Sequence, residues 1–243
     1  MKQQKYYIFA HLYWMVAIIL LAVAPPAHAK ATEHWSSSKI KLFNTMEFRG
    51  KLKSVPKWRN VLSQAQKQVD KLTKCELSKD DCPPAAKSWQ LMLKEAAKKK
   101  PLEQLNLVNR FANNWPYRLD VDIYGVEDYW ATPFEFFKNS GDCEDYSITK
   151  YYALKTIGFP IEDMRVVVLR DTIRNLAHAV LAVYLSGKIY ILDNIGNVIM
   201  PHTRFSHYLP QYSVNEQYRW AHVKVKRAVP ALTLTRKRRK GAN

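Results

Sequence analysis

Two apolar runs with only two residues between them constrain this chain most. Ala177 to Leu185 (AHAVLAVYL) and Lys188 to Asn194 (KIYILDN) flank Ser186-Gly187, which has the length and the glycine of a tight hairpin turn. Such a turn sets Leu185 opposite Lys188 and, counting back, Val180 opposite Asp193. Side chains alternate along a strand, so His178 shares a face with Val180, and Asp193 lies diagonally across from His178 within side-chain reach. A three-residue loop would shift the register by one and put Asp193 on the other face. A histidine in an apolar strand ordinarily reads as a hydrogen-bonded core residue. An aspartate closing an otherwise apolar strand needs a partner, and the imidazole supplies one.

The rest of the chain sets this hairpin in an α+β architecture. Arg165 to Arg170 (RVVVLR) is a further strand. Upstream the periodicity is helical over Val55 to about Lys74, again over Ala85 to Ala97, and from Pro101 through LEQLNLVNRFAN, with Pro83-Pro84 and Pro101 as punctuation. Helices first and an antiparallel sheet second read as an N-terminal helical region over 30–100, a catalytic core over 101–230 and a basic tail over 231–243. Residues 1–29 read as a signal peptide. Lys2 and Lys5 precede the apolar run Leu12 to Ala24, and Ala27-His28-Ala29 offers a small-x-small cleavage site. The run is short of the roughly 20 residues that span a bilayer, so an uncleaved anchor is the lesser alternative.

An exported chain matures in an oxidising compartment, where Cys75 and Cys82, bracketing CELSKDDC, suit a local disulfide, with a free pair as the alternative. The chain has no CxxC, which argues against a cysteine-based zinc site. The net charge of +17 is concentrated in Lys98-Lys99-Lys100 and in Arg236-Lys237-Arg238-Arg239-Lys240. Charge this basic suits weak contact with anionic surfaces through the tail. No zinc-finger, RNP-like or helix-turn-helix pattern accompanies it, so nucleic acid is not an expected partner.

Cys143 is left over, in the stretch SGDCEDYS with Asp142, Glu144 and Asp145 around it. Asp142 is a good helix N-cap, Asp145 stands in the capping-box position, and Gly158 followed by Pro160 ends the helix. Cys143 therefore sits in a first helical turn, where free N–H groups and the helix dipole lower a thiol's pKa. With His178 as base and Asp193 fixing its tautomer, the three residues make a thiol-nucleophile triad. The carboxylates beside the thiol work against that, because negative neighbours disfavour the thiolate.

The run DYWATPFEFFKNSGDCEDYSITKYYALKTIGFP, followed by AHAVLAVY and YILDN, resembles the bacterial transglutaminase-like cysteine peptidases of the LapG-like, periplasmic kind, over roughly Leu105 to Tyr212. The resemblance implies a papain-like core with Cys143, His178 and Asp193 as the triad. It also implies calcium dependence, with Asp142 and Glu144 as ligands. Further ligands would come from Asn113, Asn114, Asp120, Asp122, Glu127 or Asp128. Asp120 to Gly125 imitates an EF-hand loop, but the twelfth position is Ala131, not Glu. A plain helix cap is the competing reading of Asp142.

The family's substrate is a very large surface adhesin, cut near its N-terminus at a paired-alanine site to release cells from a biofilm. The family's inhibitor is the periplasmic domain of an inner-membrane cyclic-di-GMP receptor. Two other functions fit the residues: a transglutaminase or glutamine deamidase of the cell envelope, and a non-enzymatic basic protein binding the envelope. Among the aromatic residues Trp115, Tyr117, Tyr124, Tyr129 and Trp130, packing under the active-site helix is the expectation. Trp130 is the choice if one lines a groove. The backbone N–H of Cys143 is the expected oxyanion donor.

Overall fold

The computed structural model describes residues 40–77 and 82–224. Residues 1–29, read from sequence as a signal peptide, and the basic tail over 231–243 lie outside the described residues. No helix among the described residues is long and apolar enough to cross a membrane.

Seven strands form one antiparallel sheet in the order β1-β7-β6-β2-β3-β4-β5. They are β1 (Thr45–Gly50), β2 (Met164–Asp171), β3 (Leu176–Leu185), β4 (Lys188–Leu192), β5 (Met200–Pro201), β6 (Tyr208–Val214) and β7 (Arg219–Lys224). The hairpin has the expected register, with Leu185 paired to Lys188 and Leu181 to Leu192. Ser186 and Gly187 both adopt positive φ, 48° and 74°, as a primed two-residue turn requires.

The helices are α1 (Pro56–Lys74), α2 (Ala86–Ala96), α3 (Pro101–Asn113), α4 (Asp120–Tyr124), α5 (Pro133–Asn139) and α6 (Cys143–Thr156). In α1 the buried residues are Trp58, Val61, Ala65, Val69 and Leu72, one stripe at helical spacing. Helix α6 differs: every residue from Glu144 to Leu154 is buried, because β2 and β3, α3 and α5 surround it. The main core joins α1, α2, α3 and α6 to Val166, Leu181, Val183 and Leu192 of the sheet. The opposite face of the sheet packs Leu42, Val167, Leu169, Val180, Ala182 and Tyr184 with Phe205 and Tyr208. His178 lies at the open end of this second face, its ring edge-on to Tyr208 with centroids 5.7 Å apart.

The span 30–100, read from sequence as helical, also carries β1, which pairs with β7. Its anchors are polar: Glu47 binds the buried Arg165 at 2.7 Å, and Thr45 shares a 2.8 Å hydrogen bond with His222. Met46 and Phe48 alternate with Glu47 and Arg49, but both point to solvent, so the period of two is present with its polar side turned inward. Cys75 and Cys82 form a disulfide.

Candidate active site

Cys143 opens α6 and is the free cysteine of the described residues. The helix start is held by Asp145, whose Oδ2 accepts from the Asp142 N–H at 3.2 Å and whose Oδ1 accepts from the Ala131 N–H at 2.7 Å. Asp145 thus makes its half of the capping box and also ties the preceding loop to the helix. Gly141 makes room for it: a Cβ there would come within 2.1 Å of Asp145 Oδ2.

His178 and Asp193 meet as the hairpin register requires, with Nε2 to Oδ1 at 3.0 Å. Asp193 also accepts the Ile195 N–H at 3.0 Å on Oδ1 and the Tyr208 hydroxyl at 2.6 Å on Oδ2. The Asn113 side chain donates to the Asp193 carbonyl at 2.9 Å. Burial would raise the Asp193 pKa, but the hydrogen bond and charge of His178, with help from Tyr208 and Ile195, bring it below its ordinary value. Cys143 reaches the same stretch of β3, because its thiol takes a hydrogen bond from the backbone of Ala179, the residue after His178. The charge of His178 is felt at Asp142. The Cys143 thiol thus meets β3 at the residue next to His178, and His178 in turn holds Asp193.

The electrostatics around the thiol are unfavourable for a thiolate on the protein's charges alone. Burial, then Glu144 and Asp142, push the Cys143 pKa well up. The Sγ donates to Glu144 Oε2 at 3.3 Å. Burial and Asp142 push Glu144 up to about 11, and burial raises Asp142 as well. Asp120, which is 1% exposed, is raised to about 6, chiefly by burial. Buried Oδ1 atoms of both Asp120 and Asp142 have no hydrogen-bond partner.

Crowded, partly unpartnered carboxylates of this kind fit a hard cation, which accepts several oxygen ligands and offsets their charge. Trios of ligand atoms within 4.8 Å of one another are formed by Asp142, Cys143 and Glu144, by Asp120, Asp142 and Asp145, and by Asp120, Asp128 and Glu144. The two carboxylates named first from sequence thus stand together, and of the further candidates the structure brings Asp120 and Asp128 to them. Asp128 lies at the rim, paired with Lys57 and accepting from Trp130 Nε1 at 3.0 Å. Asp122 and Glu127 point to solvent, and Asn113 donates its amide N–H groups to the loop after β4 while its buried Oδ1 has no hydrogen-bond partner.

Trp130 is not a groove residue: it is 5% exposed and packs edge-on against Trp58 in the main core. The exposed aromatic beside the site is Tyr117, 52% exposed, whose strand-like bridge to Gly141 sets it against the loop before Cys143. Its phenol pKa is raised by burial of the hydroxyl and by Cys143, Asp142 and Glu144. Sequence reasoning also passed over Lys150, two turns along α6. Its amine is fully buried without a hydrogen-bond partner and its pKa is lowered to about 7 by burial, with Asp193 opposing the shift.

The chain belongs to the bacterial transglutaminase-like cysteine proteinases, whose family model matches residues 62–228. The match begins inside α1, so part of the span read as the N-terminal region falls within the family. Among solved structures, calcium-bound LapG of Legionella pneumophila is similar at 29% identity, with 73% of this chain and 93% of that one covered and a TM-score of 0.54. A second structure of Legionella pneumophila LapG gives 27% identity, 68% and 86% coverage and a TM-score of 0.51. An EGTA-treated form of it gives 27% identity, 68% and 83% coverage and a TM-score of 0.51. No curated protein matched the chain.

Proposed function

We propose that the protein is a periplasmic, calcium-dependent cysteine endopeptidase with Cys143 as nucleophile, His178 as general base and Asp193 as the residue that orients the base. The observation that carries this reading is the 3.0 Å His178–Asp193 hydrogen bond on the strand whose Ala179 backbone meets the Cys143 thiol.

With Asp193 ionised, Nε2 of His178 holds the ring proton and the neutral imidazole keeps its lone pair on Nδ1. The thiol proton passes to Nδ1 as Sγ bonds to the scissile carbonyl carbon. The imidazolium then protonates the departing amine as the C–N bond breaks, and water, deprotonated by His178, hydrolyses the thioester. The backbone N–H of Cys143, in the first turn of α6, is the donor nominated for the oxyanion.

Asp142, Glu144 and Asp120 would hold calcium, which supplies a positive charge that offsets the carboxylates beside the thiol. Support comes from the unpartnered Oδ1 atoms of Asp120 and Asp142, and from the similarity to a relative solved both calcium-bound and EGTA-treated.

The proposed substrate is the N-terminal region of a large surface adhesin, whose cleavage disperses a biofilm. The proposed inhibitor is the periplasmic domain of an inner-membrane cyclic-di-GMP receptor. The leader-like residues 1–29 and the LapG-like motifs support this placement. The test incubates purified protein with an N-terminal adhesin fragment, in calcium, in EGTA, and in EGTA with calcium restored. Two fragments are expected in the first and third conditions only, and none with Cys143→Ala. Full cleavage by Cys143→Ala would end the reading, and mass addition in place of cleavage would shift it to transglutamination.

A further inference from the structure

Asp193 has two carboxylate oxygens with separate tasks. Oδ1 faces His178 and also takes the Ile195 N–H. Oδ2 takes the Tyr208 hydroxyl at 2.6 Å, the shortest of the three contacts. Tyr208 comes from β6, which lies on the far side of β2 from β3. Its pairing with Asp171, and that of Leu169 with His178, put the tyrosine and histidine side chains on the same face of the sheet. The ring cannot easily move. It is buried, stacked on Phe205 with centroids 5.0 Å apart, edge-on to His207 at 4.4 Å and edge-on to His178 at 5.7 Å.

We infer that Tyr208 is a positioning residue of this centre: its hydroxyl pins Oδ2 of Asp193, so that the carboxylate presents Oδ1 to Nε2 of His178 and holds the imidazole in the Nε2–H tautomer. The inference rests on the proposed roles of His178 and Asp193, and it adds a fourth residue to them. A carboxylate that is buried and held by only one oxygen can rotate about its Cβ–Cγ bond. An imidazole facing a rotating carboxylate is free to place its proton on Nδ1, the nitrogen that has to accept from the thiol. The phenol ring adds packing that phenylalanine would match, so the hydroxyl is the part with a distinct role.

The test compares the full chain with its Tyr208→Phe variant after histidine 15N labelling, in calcium and at a pH where His178 is neutral, and reads the two tautomers from long-range 1H–15N correlations. The wild-type ring is expected in the Nε2–H form, and a dominant Nδ1–H form there would overturn the inference without any variant. Tyr208→Phe is expected to raise the ratio of the Nδ1–H to the Nε2–H form roughly tenfold, and to lower kcat on the adhesin fragment in proportion to the Nε2–H fraction lost, with KM within about twofold. Phe205→Leu, which loosens the same packing but keeps the hydroxyl, should leave the tautomer ratio unchanged. In an Asp193→Asn background Tyr208→Phe should add nothing. Identical tautomer ratios in wild type and a folded Tyr208→Phe chain would overturn the inference, as would an equal shift in Phe205→Leu. The tautomer readout needs no substrate. Failure of the peptidase reading would show instead as cleavage by Cys143→Ala.

Discussion

The Asp145 carboxylate occupies the space that a side chain at position 141 would need, since a Cβ on Gly141 would lie 2.1 Å from its Oδ2. The glycine two residues before the nucleophile therefore serves the cap of the nucleophile's helix. Asp145 must keep its bonds to Asp142 and Ala131 for α6 to begin where it does. Gly141→Ala is expected to cost about 1–3 kcal/mol of stability, the usual range for overpacking. It should lower activity more than that loss explains, because the atoms displaced orient Cys143. Thermal melts alongside cleavage rates check this, and wild-type rates in the variant would contradict it.

Cys143→Ala should remove activity and leave both the fold and the calcium response in place. The thiol binds Glu144 through one weak contact, whereas the helix start depends on Asp145. Far-UV circular dichroism and melting with and without calcium should match the wild type. Loss of the calcium response would mean that the sulfur takes part in holding the ion.

The calcium response should divide the acidic residues by position. Asp120→Asn and Asp142→Asn each neutralise a carboxylate with a buried, unpartnered oxygen, and should weaken or abolish the calcium-induced rise in melting temperature. Asp122→Asn, on the exposed side of α4, should leave it intact. A ligand at a hundredfold excess over its Kd adds about 2.7 kcal/mol to the stability of the state that binds it. Such a shift is easily read by differential scanning fluorimetry. Equal responses in all three variants would place the ion elsewhere.

Lys150 should make stability depend on pH in a defined direction. Its amine titrates near 7 in the folded chain against an ordinary 10.5. Between those values unfolding takes up a proton, so stability rises with pH across that window, and the cost of the buried charge is felt in full below about 7. Lys150→Met should therefore be more stable than wild type at pH 6, with the advantage shrinking towards pH 10. Urea midpoints at pH 6, 8 and 10 test it, and a gap that does not change with pH would refute the assignment.

The hairpin and the helix cap were legible in sequence because each has a local, near-unique solution. A two-residue turn with glycine admits one register, and Asp142 with Asp145 around a cysteine admits one helix start. Those two inferences bring His178 to Asp193 and put Cys143 in a first turn. The pieces that escaped are those whose partners come from far along the chain. Asp120 could not be told from Asp122 or Asp128 until burial separated them. Lys150 reads as one more polar position in CEDYSITKYYALKT, a segment whose burial comes from the sheet, α3 and α5 around it. Tyr208 opens a strand as an ordinary aromatic, and only the sheet order carries it to Asp193. In β1 the anchoring groups are Glu47 and Thr45 while Met46 and Phe48 face solvent, so its short alternation is the reverse of the apolar-inward pattern that marks a half-buried strand.

The pairing of β1 with β7 joins the first and last strands of the described chain. Glu47 is poised for Arg165 and Thr45 for His222, partners synthesised more than a hundred residues later. The sheet's edge thus cannot be finished until the ribosome has made residues through Lys224. Contacts of such long sequence separation form slowly, because the intervening chain must first give up its freedom.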